Sequence, residues 1–160
     1  MIALDARDLA ILRTLSEQGR ISKTALAGQV GLSPTPCWNR LRRLEEAGLI
    51  ESYHARVDLK KVAPHVTVFL AAELREHTAE RMQAFERAVR AYDEVTACWA
   101  LGGGFDYLVQ IVTSDIDAYQ RLVDDMLDSR MGLARYYTYI VTKSVKPPSP
   151  PPFERLAGEG

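Results

Sequence analysis

One short segment of the chain carries three arginines and no acidic residue. Within residues 33–43 the arginines are Arg40, Arg42 and Arg43, and Asn39 lies beside them. A guanidinium group can donate two hydrogen bonds to the edge of a guanine, and a carboxamide can pair in a similar way with an adenine. Basic side chains also neutralise phosphates. A solvated helix face often has the same composition, so the elements around these residues must decide between DNA contact and simple exposure.

The spacing of residues between Ser33 and Gly48, which closes the segment, predicts a helix with one apolar face. Cys37, Leu41 and Leu44 repeat at intervals of four and three residues and point to one side. Arg40 lies nearer to the apolar edge, where it suits a phosphate contact. Ser33 is the predicted N-cap, beside free N–H groups that can bind a phosphate. The candidate DNA contacts are Ser33, Thr35, Trp38, Asn39, Arg40, Arg42 and Arg43.

Two shorter predicted helices precede this one and complete a helix-turn-helix pattern. Asp5 is the expected cap of the first helix and Ser22 that of the second, and Gly31 permits a tight turn before the third. In such a motif the last helix enters the major groove, which is ~12 Å wide. The small and apolar residues that a tight pair of helices requires are Leu26, Ala27, Val30, Gly31 and Leu32. Their spacing favours the DNA interpretation over a merely solvated face.

The rest of the chain alternates between strands and helices in the order βαββαβ, which is typical of a ferredoxin-like domain. The predicted strands cover residues 66–74, 95–101, 105–112 and 133–142, and the predicted helices cover residues 78–90 and a segment that begins at the N-cap Ser114. The expected fold class is therefore α+β.

The chain divides into four predicted segments. A helix-turn-helix domain occupies residues 1–50 and a ferredoxin-like domain occupies residues 65–146. Residues 51–64 form a hinge strand or linker, in which the stretch up to Val57 is strand-like and is either a wing or a connecting strand. Residues 147–160 form a tail that opens with five prolines in six residues, and we expect it to be extended and mobile.

Three consecutive glycines join the second and third predicted strands of this domain. Gly102, Gly103 and Gly104 can form a hairpin turn with positive φ, or they can leave backbone N–H groups bare to receive a carboxylate. Asp106, just beyond them, can bind an ammonium group or accept hydrogen bonds from nearby backbone N–H groups. Both alternatives stay open at each of these places.

Composition excludes several other classes of protein. The net charge of −1 is the sum of +2 over residues 1–60 and −3 over residues 61–160, so a mildly basic module lies within a neutral chain. No apolar run approaches the ~20 residues of a membrane span, and no signal peptide is expected. The two cysteines are too few for a disulfide scaffold. With no nucleophile–base pair, carboxylate pair, phosphate loop or metal-ligand spacing, we predict neither an enzyme nor a bound metal or cofactor.

Three segments resemble the Lrp/AsnC family of bacterial and archaeal transcription regulators. They are LDARDLAILRTLSEQGRIS, residues 4–22, KTALAGQVGLSPTPCWNRLRRLEEAGLI, residues 23–50, and GGGFDYLVQIV, residues 102–112. The resemblance extends from Leu4 to about Lys146. It implies a winged helix-turn-helix domain followed by a ferredoxin-like effector domain, called RAM. In the family that second domain dimerises, commonly assembles to octamers, and binds amino acids or related molecules between protomers.

The resemblance also implies an effector site in the second domain. Phe105 and Asp106 match the family pattern that follows Gly103, whereas Gly102 and Gly104 depart from it and leave room for a bulkier ligand. Residues near the last strand face the ligand from a neighbouring dimer in the family. The effector-binding residues so predicted are Gly102, Gly103, Gly104, Phe105, Asp106, Tyr136 and Thr138.

We therefore predict a sequence-specific transcription regulator that binds double-stranded DNA and responds to an amino acid or a related small metabolite. The alternative is an architectural protein that wraps DNA with little effector response. In either case we expect a homodimer that assembles further to a tetramer or an octamer, in the cytoplasm and without membrane contact.

Overall fold

The computed structural model describes residues 2–158, which form two compact units. The first unit contains the described residues up to Val57 together with those from Lys146 onward, and the second unit is Asp58–Val145. No helix within residues 2–158 is both long and apolar enough to cross a membrane.

Three helices form the body of the first unit: α1 (Ala6–Glu17), α2 (Lys23–Gln29) and α3 (Pro34–Glu46). The predicted caps of α1 and α2 are confirmed, because Asp5 accepts hydrogen bonds from the N–H groups of the first turn and Ser22 accepts one from Ala25. These caps satisfy N–H groups that have no partner inside their own helix. The core residues of this unit are Ile11, Leu12, Leu26, Ala27, Val30, Cys37, Leu41 and Leu44.

The turn between α2 and α3 depends on a glycine, as predicted. Gly31 has φ +65°, a left-handed conformation that side chains with a Cβ adopt only with strain. The Arg7 guanidinium also lies close, because its Nη1 donates to the Val30 carbonyl at 2.5 Å. A Cβ added at Gly31 would lie 2.9 Å from that nitrogen. The turn thus brings α3 directly after α2 and ties both to α1.

The strand expected up to Val57 is absent from the single chain, and this prediction was wrong. Residues 51–57 lie outside any helix or strand and are exposed, and a short helix α4 (Leu59–Val62) follows them. A strand requires a neighbour that takes its N–H and C=O groups. Within the described part of the chain no such neighbour pairs with these residues.

The tail contains a helix that the sequence did not predict. Residues 153–156 form a short helix α7 (Phe153–Leu156), and Phe153 packs against the core of the first unit. The proline-rich stretch before it is neither helix nor strand. The expectation of an extended, mobile tail is therefore wrong for the residues that follow the prolines.

The second unit has the predicted order βαββαβ. Its elements are β1 (Val66–Leu74), α5 (Ala79–Val89), β2 (Val95–Ala100), β3 (Tyr107–Thr113), α6 (Ile116–Asp128) and β4 (Leu133–Ile140). The four strands form one antiparallel sheet in the spatial order β2-β3-β1-β4. One cap was misplaced by a residue: Asp115, rather than Ser114, accepts the N–H of Ala118 at the start of α6.

The two faces of this sheet differ in their surroundings. The face toward α5 and α6 holds a core that includes Val68, Leu70, Val109 and Ile111. Because side chains alternate along a strand, the intervening residues lie on the opposite face. That face exposes aromatic side chains of the two edge strands, namely Trp99 (47% exposed), Tyr137 (41%) and Tyr139 (53%).

Candidate nucleic-acid interface and effector site

The outward face of α3 presents polar side chains that can contact DNA. Thr35, Asn39 and Arg42 are all exposed there. The Nε atom of Arg42 donates to Glu46 at 2.7 Å, one turn further along the helix. An exposed pair of this kind contributes about 0.5 kcal/mol, so a phosphate or a guanine can replace Glu46 as the partner of Arg42.

A buried carboxylate fixes α3 against α1. The Asp8 side chain is 1% exposed, and its Oδ1 lies 2.9 Å from the Nη1 atom of Arg40. Its Oδ2 lies 2.5 Å from the Nη2 atom of Arg43 and also accepts the backbone N–H of Asp5 at 3.1 Å. We refer to these three side chains, Asp8, Arg40 and Arg43, as the Asp8 clamp. The clamp joins the first turn of α1 to the middle of α3.

Two of the predicted DNA contacts, Arg40 and Arg43, also belong to the Asp8 clamp. Arg40 also donates to Asp5 at 2.7 Å, and the two aspartates raise the pKa of its guanidinium further above its ordinary value. The pKa of Asp5 is lowered, first by the backbone N–H of Asp8 and then by Arg40. A guanidinium has five N–H donors. Arg40 and Arg43 therefore hold the helix in place and keep donors available for a phosphate.

The sequence predicts Asp8 only as a favourable residue of the first turn of α1, and its burial and ion pairs were not predicted. The signal was present, because Asp8, Ile11, Leu12 and Leu15 follow one another at helical spacing and place the aspartate on the apolar face of α1. A carboxylate on such a face is rarely buried without a partner. Its partners lie 32 and 35 residues away in the chain, so no local pattern identifies them.

The amino-terminal end of α3 carries the other predicted contacts. Ser33 is the N-cap of α3, as predicted, but its hydroxyl makes no capping hydrogen bond and stays free for a phosphate. Trp38 is 38% exposed, and the Lys23 ammonium lies 3.2 Å from the centre of its ring. Sequence reasoning missed Lys23. This cation–π contact adds a positive charge beside the helix face.

The glycine connection between β2 and β3 does not have the expected turn geometry. Positive φ occurs at other glycines of the described chain and at none of Gly102, Gly103 and Gly104. A Cβ added at any of the three would meet no atom within 4 Å. Nothing within the chain therefore requires glycine at these positions.

Asp106 is held by the end of β1. Its Oδ2 accepts the backbone N–H of Leu74 at 2.7 Å, as the backbone alternative predicts, and the binding of an ammonium group stays a prediction. Its Oδ1 lies 3.1 Å from the Nε2 atom of His77, and the carboxylate is 16% exposed. A positively charged ligand group can still reach this carboxylate from the side of His77.

The structure separates the aromatic residues predicted for the effector site. Phe105 contacts Tyr137, with ring centres 5.2 Å apart and the rings edge to face. Tyr136 packs instead against the core on the helix-covered face, and the Thr138 hydroxyl lies 2.6 Å from the Tyr119 hydroxyl of α6. Within one chain, Tyr137 is therefore the residue of β4 that accompanies Phe105. Because strand residues alternate, the sequence could have placed Tyr137 on the sheet face opposite to that of Tyr136 and Thr138. It could not have shown that Phe105 contacts Tyr137.

The first unit is a helix-turn-helix whose third helix is basic and held by the Asp8 clamp. The second unit is a separate α+β domain. This combination is typical of DNA-binding regulators that respond to a ligand. Residues 4–51 match the family model for a winged helix-turn-helix DNA-binding domain, and residues 67–151 match that for the Lrp/AsnC ligand binding domain. The chain belongs to the Lrp/AsnC family. It is a transcriptional regulator whose DNA binding is modulated by an effector.

Individual relatives agree with this assignment. The chain is 51% identical over 146 residues to the transcriptional regulatory protein DoeX of Halomonas elongata, covering 91% of this chain and 92% of the relative. It is 37% identical to the Bkd operon transcriptional regulator of Pseudomonas aeruginosa, covering 95% and 99%. A Neisseria meningitidis regulator, solved as a complex with L-Met, has a TM-score of 0.89 and 34% identity and covers 96% of this chain and 99% of its own.

Proposed function

We propose that α3 recognises its operator in the major groove through Thr35, Asn39 and Arg42, which contact base edges. The observation that carries this assignment is that these side chains are exposed on a helix that a buried carboxylate fixes to its neighbour. A fixed helix loses little freedom when it binds, so more of the contact energy appears as affinity. Phosphates are contacted by Ser33, Arg40 and Arg43 and by the aromatic edge of Trp38.

We further propose that the effector is an amino acid or a related small metabolite. The bare N–H groups of Gly102, Gly103 and Gly104 receive its carboxylate and Asp106 receives its ammonium group, while Phe105 and Tyr137 contact its side chain. Support comes from the match to the ligand binding domain and from the L-Met complex of the Neisseria relative. Tyr136 and Thr138 serve a ligand held by a neighbouring dimer, as the family resemblance implies.

A screen of amino acids and their breakdown products by thermal shift tests this proposal. A ligand at 100 times its Kd stabilises the protein by about 2.7 kcal/mol, which raises the unfolding midpoint measurably. Gly103→Val should abolish that shift, because the added side chain fills the ligand space while the fold itself leaves room for it. Gly19→Val is the matched control, since an added Cβ at Gly19 makes only an ordinary contact at 3.7 Å.

The same ligand decides between a regulator and an architectural protein. If the amino acid that stabilises the protein also changes the Kd for promoter DNA, the effector proposal is supported. If no compound in the screen shifts either the midpoint or the DNA affinity, the architectural alternative replaces it. A ligand whose stabilisation persists in Gly103→Val would move the site away from the glycine connection.

We propose that the protein is a homodimer in the cytoplasm, joined through the open face of its sheet, and that dimers associate further to a tetramer or an octamer. Large apolar patches on a soluble protein commonly mark interfaces, and this face exposes Trp99, Tyr137 and Tyr139. Each aromatic side chain buried at an interface contributes about 2 kcal/mol.

Charge placed on this face should therefore dissociate the dimer. Replacing Trp99 and Tyr139 together by glutamate is expected to weaken self-association at least about a hundredfold, because two buried aromatics are lost and two charges would need burial. Light scattering after gel filtration measures the mass. The exposed Tyr53, in the first unit, supplies the control variant Tyr53→Glu. A double variant that elutes with the mass of the unaltered protein would place the interface elsewhere.

A further inference from the structure

The short helix α7 is part of the DNA-binding unit. The ring of Phe153 packs against the core formed by α1, α2 and α3, and Glu154 forms an ion pair with Arg13 of α1. These contacts join residues 141 positions apart. They place α7 against the same helix that carries Asp8.

A groove on the first unit receives α7. Its apolar walls come from α1 and from the segment after α3, and the groove has a volume of about 520 Å³ beside the docked side chains. Its lining includes Leu4, Leu12, Leu15, Ile50, Phe153 and Leu156. Without Phe153 this apolar wall would face water. Phe153 and Leu156 thus form one wall of this groove, and the segment that lies against α1 belongs to the chain itself.

The proline-rich stretch approaches the other end of α1. Pro148, Ser149 and Pro150 line a depression together with the turn at Gly19 and Arg20 that follows this helix. Prolines hold an extended conformation with few alternatives, so the entropy lost when such a segment docks is small. The proline-rich residues thus border the turn after α1, while Phe153 and Glu154 make the direct contacts with the first unit.

The contacts form a physical connection from the tail to the recognition helix. Phe153 and Glu154 hold α1, and α1 holds α3 through the Asp8 clamp. Residues 153–156 lie beyond both matched family segments, 4–51 and 67–151, so neither model describes this contact.

We propose that residues 148–156 act as a docked strap that keeps α1 in place and thereby sets the affinity of α3 for DNA. This proposal rests on the proposed role of α3 in reading DNA. Loss of the strap leaves the apolar groove open, increases the motion of α1, and raises the entropic cost of placing α3 in the major groove.

Two variants of the full-length protein test the strap. Phe153→Ala and a chain that ends at Pro151 should each bind operator DNA about tenfold more weakly, which is the effect of losing one half-buried aromatic contact. Amide hydrogen exchange in α1 should become faster in both. Arg155→Ala is the matched control, because this exposed residue of α7 should leave affinity and exchange unchanged.

A charge exchange tests the docking contact without removing the helix. Arg13→Glu and Glu154→Arg should each weaken DNA binding two- to fivefold, and the double variant should restore it, as an ion pair of modest strength would. Unchanged DNA affinity in Phe153→Ala and in the shortened chain overturns the proposal, whether or not exchange in α1 is altered. Because operator binding by the Asn39→Ala, Arg42→Ala double variant tests α3 independently, failure of the strap is distinguishable from failure of α3 as the reading helix.

Discussion

Replacing Asn39 and Arg42 together by alanine is expected to weaken binding to the specific operator at least about a hundredfold. Each side chain that pairs with a base through two hydrogen bonds contributes about 1–3 kcal/mol of discrimination. Affinity for unrelated DNA should fall far less, because it depends on phosphate contacts that Ser33, Arg40 and Arg43 retain. Fluorescence anisotropy with operator and scrambled duplexes at one fixed salt concentration measures both affinities.

The control for this double variant removes one arginine from the second unit. Arg87→Ala deletes an arginine from α5, outside the DNA-binding unit, and should leave both affinities unchanged. Glu46→Ala frees Arg42 from its exposed ion pair and should strengthen binding slightly. If the Asn39→Ala, Arg42→Ala double variant binds the operator as tightly as the unaltered protein, α3 does not read the bases through these side chains.

Replacing Asp8 by asparagine is expected to lower the free energy of unfolding of the DNA-binding unit by about 2 kcal/mol. Loss of one partner from a buried ion pair typically costs about 3–5 kcal/mol. The lower value applies because the Arg40 and Arg43 side chains are 31% and 48% exposed and can be hydrated when the carboxylate is gone. Asparagine keeps the size of the side chain, so the change isolates the charge.

The operator affinity of Asp8→Asn should also fall, because α3 is held less firmly and loses more conformational entropy when it binds DNA. Urea unfolding followed by Trp38 fluorescence reports the DNA-binding unit, provided that Trp99 is replaced by phenylalanine in every protein compared. Asp93→Asn, an exposed change in the second unit, is the control. A variant Asp8→Asn with unaltered unfolding and unaltered operator affinity would show that the clamp is dispensable.

Local patterns predicted most of the secondary structure. The caps at Asp5 and Ser22 and the left-handed glycine at Gly31 are confirmed, because each depends on residues within one turn. The strands of the second unit agree with prediction to within two residues at their ends. Their alternating or continuous apolar patterns are set by the two faces of one sheet.

Contacts between distant segments were beyond this reasoning. The Asp8 clamp and the docking of Phe153 both join parts of the chain whose proximity depends on the whole fold. The prolines correctly exclude a helix over residues 147–152. The prediction of an extended tail is wrong for residues 153–156, which contain no proline. Phe153 and Leu156 are spaced as one face of a helical turn, which was the available indication of α7.

The position of α7 has a consequence for the order in which the protein matures. During synthesis, the residues of α1, α2 and α3 leave the ribosome first, whereas Phe153 and Glu154 are added only after the whole second unit. Amino-terminal elements can fold while translation continues. The three helices can therefore form early, but the apolar groove on α1 stays uncovered until residues 153–156 have left the ribosome. A nascent or prematurely terminated chain would carry this groove open to chaperones.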